Sequence, residues 1–403
     1  MGASVVERAW AAAARDSGIA REMGVPHGLP VTLRTNDSAP KATPSMSTPN
    51  LKEPNGWSNG FDARWRDVPD FINGITHEIW EGRNIHALRR YYGASMAVRS
   101  PASIVVGSGN VIGATMATLA EFPDRQLLGE DVIWCPTNAD GEDDWPADVR
   151  PESGEGQDTP GIRGSFLSSH RLLCTATHAR PGQYGAPSGK RLRYRILADC
   201  AARDNAIYDE WLVRDQGAIV RQIGWDPKDY AVDLIEREGG PEQCVRPFHP
   251  SLDRAVQYRG IGNDDPTGQR HVETLARLMD GEMSVIRRTY ARAAQLELPG
   301  HRTEHGREAA DEFWIGLRSA FPDAVFAVHH AIGREDAGRS PRSAVRWSLT
   351  GKHSGWGAFG TPTGAEVHVM GISHAEWSPD GLAREWTLYD ETAVWKQIAL
   401  ATG

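Results

Sequence analysis

An internal repeat constrains this chain more than any other feature. Residues 175–223 align without a gap with residues 350–398, at a constant offset of 175 positions. Repeat-equivalent pairs include Arg171/Arg346, His178/His353, Glu210/Glu385, Trp211/Trp386 and Asp215/Asp390. Because a repeat of this length must correspond to one folded unit, we expect two similar units. A polar residue shared by both copies is expected to maintain the fold, whereas one present in a single copy is a better candidate for function.

The repeat extends upstream at a larger offset. Leu88–Tyr92 resembles Ile286–Tyr290 at an offset of 198, and Phe122–Asp124 resembles Phe321–Asp323 at 199. The change from 199 to 175 places about 24 additional residues in the first copy. Segment 137–164 is rich in Asp, Glu, Gly and Pro, so we expect an acidic surface insertion there. It is either a solvated loop without a role or a mobile flap over a pocket.

Composition narrows the class of protein. The net charge of −9 and the lack of a basic stripe argue against a nucleic-acid partner. No apolar run reaches the length that crosses a bilayer, so no membrane association is expected. The N-terminal residues lack the apolar core of a signal peptide. The four cysteines show no Cys-x-x-Cys spacing, which favours free buried thiols and a cytoplasmic location.

Neither a metal nor a nucleotide cofactor is expected. A metal site built from His329, His330, His368 and His374 is conceivable, but their spacing matches no known ligand motif. The glycine-rich segment 107–113 follows an apolar stretch, yet it has the wrong glycine spacing for dinucleotide binding. We therefore predict no cofactor.

The order of elements predicts the fold class. In each copy, helical patterns come first and a run of strands follows. The predicted strands are 126–135, 166–178, 190–201 and 207–215 in the first copy, and 324–332, 343–353, 365–377 and 382–391 in the second. One helix is predicted over 269–294. This order is typical of an α+β fold with a mainly antiparallel sheet. The predicted divisions are an N-terminal helix and arm (1–60), a first domain (61–238), a linker (239–267) and a second domain (268–403).

Three segments of the second copy carry a resemblance to a known family. They are Arg346–Gly355, Phe359–Gly364 and Glu385–Asp390, followed by Lys396-Gln397. Together they resemble the SnoaL-like polyketide cyclase family of the nuclear transport factor 2-like superfamily, over 66–224 and 268–400. The resemblance implies two tandem cone-shaped domains, each a curved sheet wrapped around helices with a pocket at the open end. Family members commonly pair through the sheet, which implies an internal pseudo-dimer and leaves a homodimer of whole chains open.

One departure from the family limits what the resemblance implies. Polyketide cyclases of this group use an aspartate as acid/base on the last strand, three residues before the position of Asp390. That position holds Thr387 in the second copy and Leu212 in the first. The accompanying histidine has an equivalent in His374, and the first copy holds Asp199 there. The cyclase mechanism therefore does not transfer residue by residue.

The second copy offers the first set of catalytic candidates. Alternation along the last strand places Glu385 and Tyr389 on one face. If that face lines a pocket, burial raises the pKa of Glu385 and lets it exchange protons with His374, while Tyr389 donates to an enolate-like oxygen. His330 and Asp390 complete the catalytic set. The alternatives are a capping role for Asp390 and an exposed polar sheet face, because alternation fails at bulges.

Substrate-binding candidates come from both copies. In the second copy they are Trp314, His329, Arg346, His353 and Trp386. In the first copy they are His77, Tyr91, His178, Asp199, Glu210 and Arg214, with Arg193 and Arg195 nearby, a set that suits an anionic ligand. The alternatives are that the two turn histidines fix their turns and that the tryptophans belong to the core.

The sequence therefore predicts a cofactor-independent acid/base enzyme of lyase, isomerase or cyclase type. Its substrate is expected to be a small molecule that contains a carbonyl group. The second copy is the first choice for the active pocket. The alternatives are a non-catalytic ligand-binding or assembly module, and a chain in which one copy catalyses while the other supports it.

Overall fold

The computed structural model describes residues 60–137, 164–253, 258 and 260–403. The predicted N-terminal helix and arm and the predicted acidic insertion lie, apart from their end residues, outside the described residues, as does part of the predicted linker. Among the described helices, none combines the length and apolar character needed to span a bilayer.

The first copy begins with short helices and continues with strands. Its helices are α1 (Val68–Thr76), extended by a π-helical turn (His77–Glu81), a 3₁₀ turn (Ile85–Ala87) with α2 (Leu88–Tyr91), α3 (Ser108–Glu121) and α4 (Gln216–Ile223). Its strands are β1 (Ala97–Ser100), β2 (Ser103–Val106), β3 (Gln126–Pro136), β4 (Ser165–Thr177), β5 (Arg191–Arg203) and β6 (Ala206–Arg214). Helix α5 (Pro227–Arg237) and a 3₁₀ turn (Pro250–Leu252) connect the copies.

The second copy repeats this order. Its helices are α6 (Pro266–Met279), α7 (Val285–Thr289), α8 (Arg307–Ala320) and α9 (Glu391–Thr402). Its strands are β7 (Tyr290–Leu298), β8 (Arg302–His305), β9 (Val325–Arg334), β10 (Arg342–Lys352), β11 (Glu366–Ser378) and β12 (Gly381–Tyr389). The prediction of one helix over 269–294 is wrong. The chain turns at Gly281, whose φ of 84° suits glycine, and then forms α7 and β7.

Each copy folds into one six-stranded sheet. The strand orders are β2-β1-β6-β5-β4-β3 and β8-β7-β12-β11-β10-β9. All pairings are antiparallel except β1 with β6 and β7 with β12. The predicted α+β class, the mainly antiparallel sheets and the tandem arrangement are therefore confirmed. The predicted bounds of β3–β6 and β9–β12 each lie within two residues of the observed ones.

The two faces of each sheet are buried in different ways. On the inner face of the second sheet, Trp347 and Leu296 form a core with Trp314 of helix α8. The opposite faces of the two sheets share one apolar cluster, which includes Leu167 from the first copy and Ile372 from the second. The fold therefore offers two kinds of interior, one inside each copy and one between the sheets.

Reciprocal contacts connect the two sheets. The Arg171 guanidinium lies 3.6 Å from the centre of the Trp386 ring, and that of Arg346 lies 3.7 Å from the Trp211 ring. The two arginines are repeat-equivalent, as are the two tryptophans, so each copy stacks its arginine on the other's tryptophan. The space between the sheets is thus filled by paired side chains.

Candidate functional site

Each copy holds a buried glutamate on the inner face of its last strand. In the second copy, Tyr290 donates a 2.7 Å hydrogen bond to Glu385. In the first copy, Tyr92 is in hydrogen-bonding contact with Glu210. Burial raises the pKa of both carboxyl groups to about 7. Since this pair is shared, its surroundings decide whether either copy can use it for chemistry.

In the second copy both carboxylate oxygens of the glutamate accept hydrogen bonds. Thr387 donates to the other oxygen of Glu385 at 3.0 Å, and the Trp314 indole donates to the Tyr290 hydroxyl at 3.0 Å. Ser373 and Trp347 continue this chain of hydrogen bonds, and all of these side chains are buried. A satisfied polar network of this kind stabilises a core and leaves no group free for a ligand.

The first copy contains a cavity instead. Its volume is about 180 Å³, comparable to a cavity that accepts benzene. Its walls are largely apolar and are formed by α1, α3 and the inner face of the sheet. The polar side chains in these walls include Tyr92, Arg125, His170, Glu210 and Arg214. An apolar cavity with a few convergent polar groups is the usual form of a small-molecule site.

Side-chain size distinguishes the two interiors. Ala114 and Thr115 of α3 occupy the positions that Phe313 and Trp314 hold in α8. Leu172 on β4 occupies the position of Trp347 on β10. A methyl group on Gly371 would lie 2.2 Å from the Trp347 ring, so that tryptophan requires glycine beside it. The second copy is filled by aromatic rings that the first copy lacks.

The glutamate of the first copy is incompletely paired. Its Oε2 atom is buried and has no hydrogen-bond partner within the described part of the chain. Leu212 stands where Thr387 supplies a donor in the second copy, which accounts for the missing bond. An unpaired buried oxygen is costly, and its position beside a cavity is typical of a group that meets a ligand.

Two further groups face the same cavity. Burial lowers the pKa of His170 to about 4, so the imidazole is neutral near pH 7, and its Nδ1 atom has no partner among the described residues. Burial raises the pKa of Tyr92 well above its usual value, so the phenol keeps its proton. The cavity therefore combines one carboxyl group that titrates near neutrality, a protonated phenol hydrogen-bonded to it, and a neutral imidazole.

The predicted pairing of His374 with Glu385 is corrected by the structure. The cross-strand partner of His374 is Trp386, so His374 and Glu385 lie on opposite faces of the sheet. His374 faces the first copy, where its Nε2 atom lies 2.7 Å from the Ser169 hydroxyl and its Nδ1 atom 3.3 Å from the Arg171 guanidinium. Trp386 lies under that guanidinium.

Other predicted residues also lie between the sheets. Asp199 is 3.3 Å from the imidazole of His330 and 3.2 Å from the guanidinium of Arg346. Burial lowers the pKa of His330 well below its usual value and raises that of Asp199 to about 7. These three residues meet at the contact between the copies and not in the cavity. Arg195 was predicted to lie beside Glu210. It forms ion pairs with Glu130 and Glu297 instead.

The remaining predicted residues of the second copy have partners that fit the structural alternatives. Asp390 caps α9 by accepting from the Thr392 amide at 2.9 Å. His353 contacts the Thr363 hydroxyl at 3.1 Å across its turn, and Tyr389 packs against Phe313.

The other two predicted histidines also have hydroxyl partners. His178 contacts Ser188 at 3.1 Å in the equivalent turn of the first copy, and His329 contacts Ser348 at 2.8 Å. Trp314 fills the second interior and does not line a cavity wall.

For two first-copy candidates, the adjacent residue in the sequence lines the cavity in their place. His77 is exposed, and Tyr91 donates to Glu78 at 2.9 Å. Their neighbours Thr76 and Tyr92 line the cavity instead. Of the predicted residues, only Glu210 and Arg214 are brought together in the cavity.

Three cavity residues, Tyr92, Arg125 and His170, were not predicted from the sequence. A usable signal existed for two of them, because the second copy has Ala324 at the position of Arg125 and Val345 at the position of His170. Both are polar residues present in one copy only. Among the described residues, no group of three or more His, Cys, Asp or Glu side chains is arranged to hold a metal ion.

Comparison with known proteins gives a family match over the second copy. Residues 269–398 match the family model described as SnoaL-like polyketide cyclase. No curated protein matches the chain. A solved structure from Jannaschia sp. CCS1, described as a proposed SnoaL-like polyketide cyclase, is 22% identical, with 34% of this chain and 96% of that chain covered and a TM-score of 0.29.

Two further solved structures are proposed polyketide cyclases. The protein from Acidithiobacillus ferrooxidans is 19% identical over 34% of this chain and 99% of its own, with a TM-score of 0.30. The protein from Streptomyces antibioticus is 17% identical over 39% of this chain and 98% of its own, with a TM-score of 0.29. Each of these relatives thus aligns with little more than a third of the present chain.

Proposed function

We propose that this chain, whose residues 269–398 match the SnoaL-like polyketide cyclase model, is an acid/base enzyme whose active pocket lies in the first repeat. The substrate is a small, largely apolar molecule that contains a carbonyl group. The reaction begins with removal of a proton next to that carbonyl, and cyclisation, isomerisation or elimination follows. The second repeat supports the fold, with its interior filled by tryptophan.

One observation carries this proposal. Glu210 places a buried carboxylate oxygen without a hydrogen-bond partner beside an apolar cavity of about 180 Å³. A pKa of about 7, raised by burial, leaves a substantial fraction of the carboxyl group ionised at neutral pH and still makes it a stronger base than an exposed carboxylate. The fully satisfied Glu385 provides the contrasting case within the same molecule.

The surrounding groups suit the same chemistry. When Glu210 accepts the proton, the electron pair of the C–H bond moves onto the carbonyl oxygen, where negative charge develops. His170 stays neutral, so its N–H can donate a hydrogen bond to that oxygen, while Tyr92 keeps its proton and orients Glu210 through their hydrogen bond. The largely apolar walls lower the local dielectric constant and strengthen these interactions.

The test is exchange of the methyl protons of acetophenone in D₂O, a neutral probe small enough for the cavity, followed by proton NMR. We expect the wild-type protein to accelerate exchange and Glu210→Gln to reduce the acceleration about 100-fold or more, because general-base catalysis contributes about that much. Circular dichroism and thermal unfolding would verify that the variant is folded.

The matched control is Glu385→Gln, the same change at the equivalent position of the second copy. It is expected to lower stability, because it disturbs a buried network, and to leave exchange at the wild-type rate below its unfolding temperature. Loss of exchange in Glu385→Gln with activity retained in Glu210→Gln would place the chemistry in the second copy and overturn the proposal. Binding of acetophenone without any exchange would favour a non-catalytic binding module.

A further inference from the structure

Two arginines lie at one end of the cavity. Arg125 immediately precedes β3, and Arg214 ends β6. Both line the cavity, and both act electrostatically on Cys174 and Tyr194. Cys174 and Tyr194 are cross-strand partners on β4 and β5, so the two guanidinium groups approach the same part of the sheet.

Neither guanidinium is neutralised by a carboxylate. Within the described part of the chain, no Asp or Glu comes within ion-pairing distance of Arg125 or Arg214. Arg125 is 5% exposed, and the Nε atom of Arg214 is buried without a partner. Arg214 does have one neutral partner, the Tyr184 hydroxyl. Burying cations without a counter-charge is costly, so the arrangement calls for a ligand that supplies one.

The nearest acids are already occupied. Glu81 accepts from the Leu127 amide at 2.6 Å. Glu121 accepts from the amides of Gln183 and Tyr184 at 3.0 and 2.9 Å and lies 3.3 Å from His178. They moderate the positive charge at this end of the cavity without forming an ion pair with either arginine.

Both arginines are confined to the copy that has the cavity. The second copy holds Ala324 at the position of Arg125 and Tyr389 at the position of Arg214. A fold requirement would apply to both copies, since the strands β3 and β9, and β6 and β12, are equivalent. The two arginines are therefore associated with the cavity and are not required by the fold.

We propose that the substrate is a carbonyl compound that also carries an anionic group, a carboxylate, held by Arg125 and Arg214. Glu210 and Arg214 are four residues apart on β6, which corresponds to roughly 13 Å along a strand. After allowance for the side chains, a molecule the size of a substituted benzene ring spans the remaining gap and fits the cavity. The anion anchors one end and presents the carbonyl end to Glu210.

This inference rests on the proposed function for the role of Glu210, but its binding part is tested separately. The probes are 4-acetylbenzoate and its neutral counterpart 4-acetylbenzamide, which share one ketone and nearly one shape. Binding to the full-length protein is measured by calorimetry, and exchange of the acetyl protons in D₂O is measured by NMR in the same samples.

We expect the carboxylate to bind at least about tenfold more tightly than the amide, because charge-assisted hydrogen bonds to arginine are about twice as strong as neutral ones. Arg125→Gln and Arg214→Gln are each expected to remove most of this preference, while Arg125→Lys keeps part of it. The control is Arg287→Gln, which removes an exposed charge on α7 and should leave the preference unchanged. Thermal unfolding verifies that each variant is folded.

The outcomes separate the two proposals. Equal binding of acid and amide, a preference that survives both glutamine variants, or no binding of the acid at millimolar concentration would overturn the anionic substrate class. A preference that depends on the arginines but comes without proton exchange would support the substrate class and reject the acid/base chemistry. Exchange of both probes at equal rates and affinities would support the acid/base chemistry and reject the anionic substrate class.

Discussion

At the scale of single residues, the molecule uses the same pair of side chains in two ways. Glu385 with Tyr290 and Glu210 with Tyr92 are repeat-equivalent and buried, and burial raises the pKa of both carboxyl groups to about 7. The difference is one neighbour on the strand: Thr387 satisfies the second oxygen of Glu385, whereas Leu212 leaves that of Glu210 unpaired. The same residue is therefore fully hydrogen-bonded in one copy and has an unpaired oxygen beside a cavity in the other.

The titration of Glu210 predicts the pH dependence of proton exchange. Only the ionised carboxylate removes a proton, so exchange of acetophenone is expected to rise about tenfold per pH unit up to a pH of about 7 and to level off above it, the pKa that burial gives Glu210. The facing groups do not titrate in this range, because the pKa of His170 is lowered to about 4 and that of Tyr92 is raised well above its usual value.

The measurement is the exchange rate from pH 5 to pH 9 at constant ionic strength. Glu210→Gln should show only the flat, slow rate of a protein without the base. A midpoint near the ordinary glutamate pKa, or a rate that does not change with pH in the wild type, would contradict a buried base.

At the scale of elements, two equivalent helices fill the two interiors differently. α3 and α8 both span fourteen residues and begin after a glycine with positive φ. α8 presents Phe313 and Trp314 to its sheet, and α3 presents Ala114 and Thr115. The two copies share the same backbone arrangement but differ in side-chain volume. Because protein interiors are closely packed, this volume decides how much space remains.

Filling the cavity from α3 should abolish ligand binding. Thr115→Trp introduces the side chain that the second copy carries at this position, and we expect binding of 4-acetylbenzoate to fall below detection by calorimetry because the indole occupies the cavity. The matched control is Met116→Trp, one residue further along the helix, where the side chain is 53% exposed. Unchanged affinity in Thr115→Trp would mean that the probe binds elsewhere.

At the scale of the whole molecule, the two sheets depend on each other. Apolar residues from both sheets form one cluster, and Asp199 of the first copy is fully buried between Ser169, His330 and Arg346. Further ion pairs cross the same contact, among them Arg342 with Asp131 and Arg195 with Glu297. Separating the copies would expose apolar surface and leave buried charges without partners.

We therefore predict that the described part of the chain unfolds in one calorimetric transition. Asp199→Ala should lower the unfolding free energy by about 3–5 kcal/mol, since it leaves the Arg346 cation buried without its partner, and should keep the single transition. The control is Asp380→Ala, an exposed residue, with no measurable effect expected. Two separate transitions in the wild type would show that the copies are independent.

Much of the fold followed from the sequence because its signals are local. Strand alternation and turn residues located β3–β6 and β9–β12, and the repeat located the copies. The helix predicted over 269–294 failed because Gly281 permits a turn inside an otherwise helical pattern. The site was harder to predict, since one residue of register separates Tyr91 from Tyr92 and decides which side chain faces the cavity.

The amino-acid sequence by itself determined the duplication, the fold class and the equivalence of Glu210 with Glu385, because these follow from periodicity and from positions shared by the repeats. Only the tertiary structure decided that His374, His330 and Asp199 lie between the sheets and that the cavity belongs to the first copy. The physical reason is that two properties depend on side chains brought together from distant strands and helices: the direction in which a side chain points, and how completely an interior is filled. No single segment reveals the combined volume of these side chains.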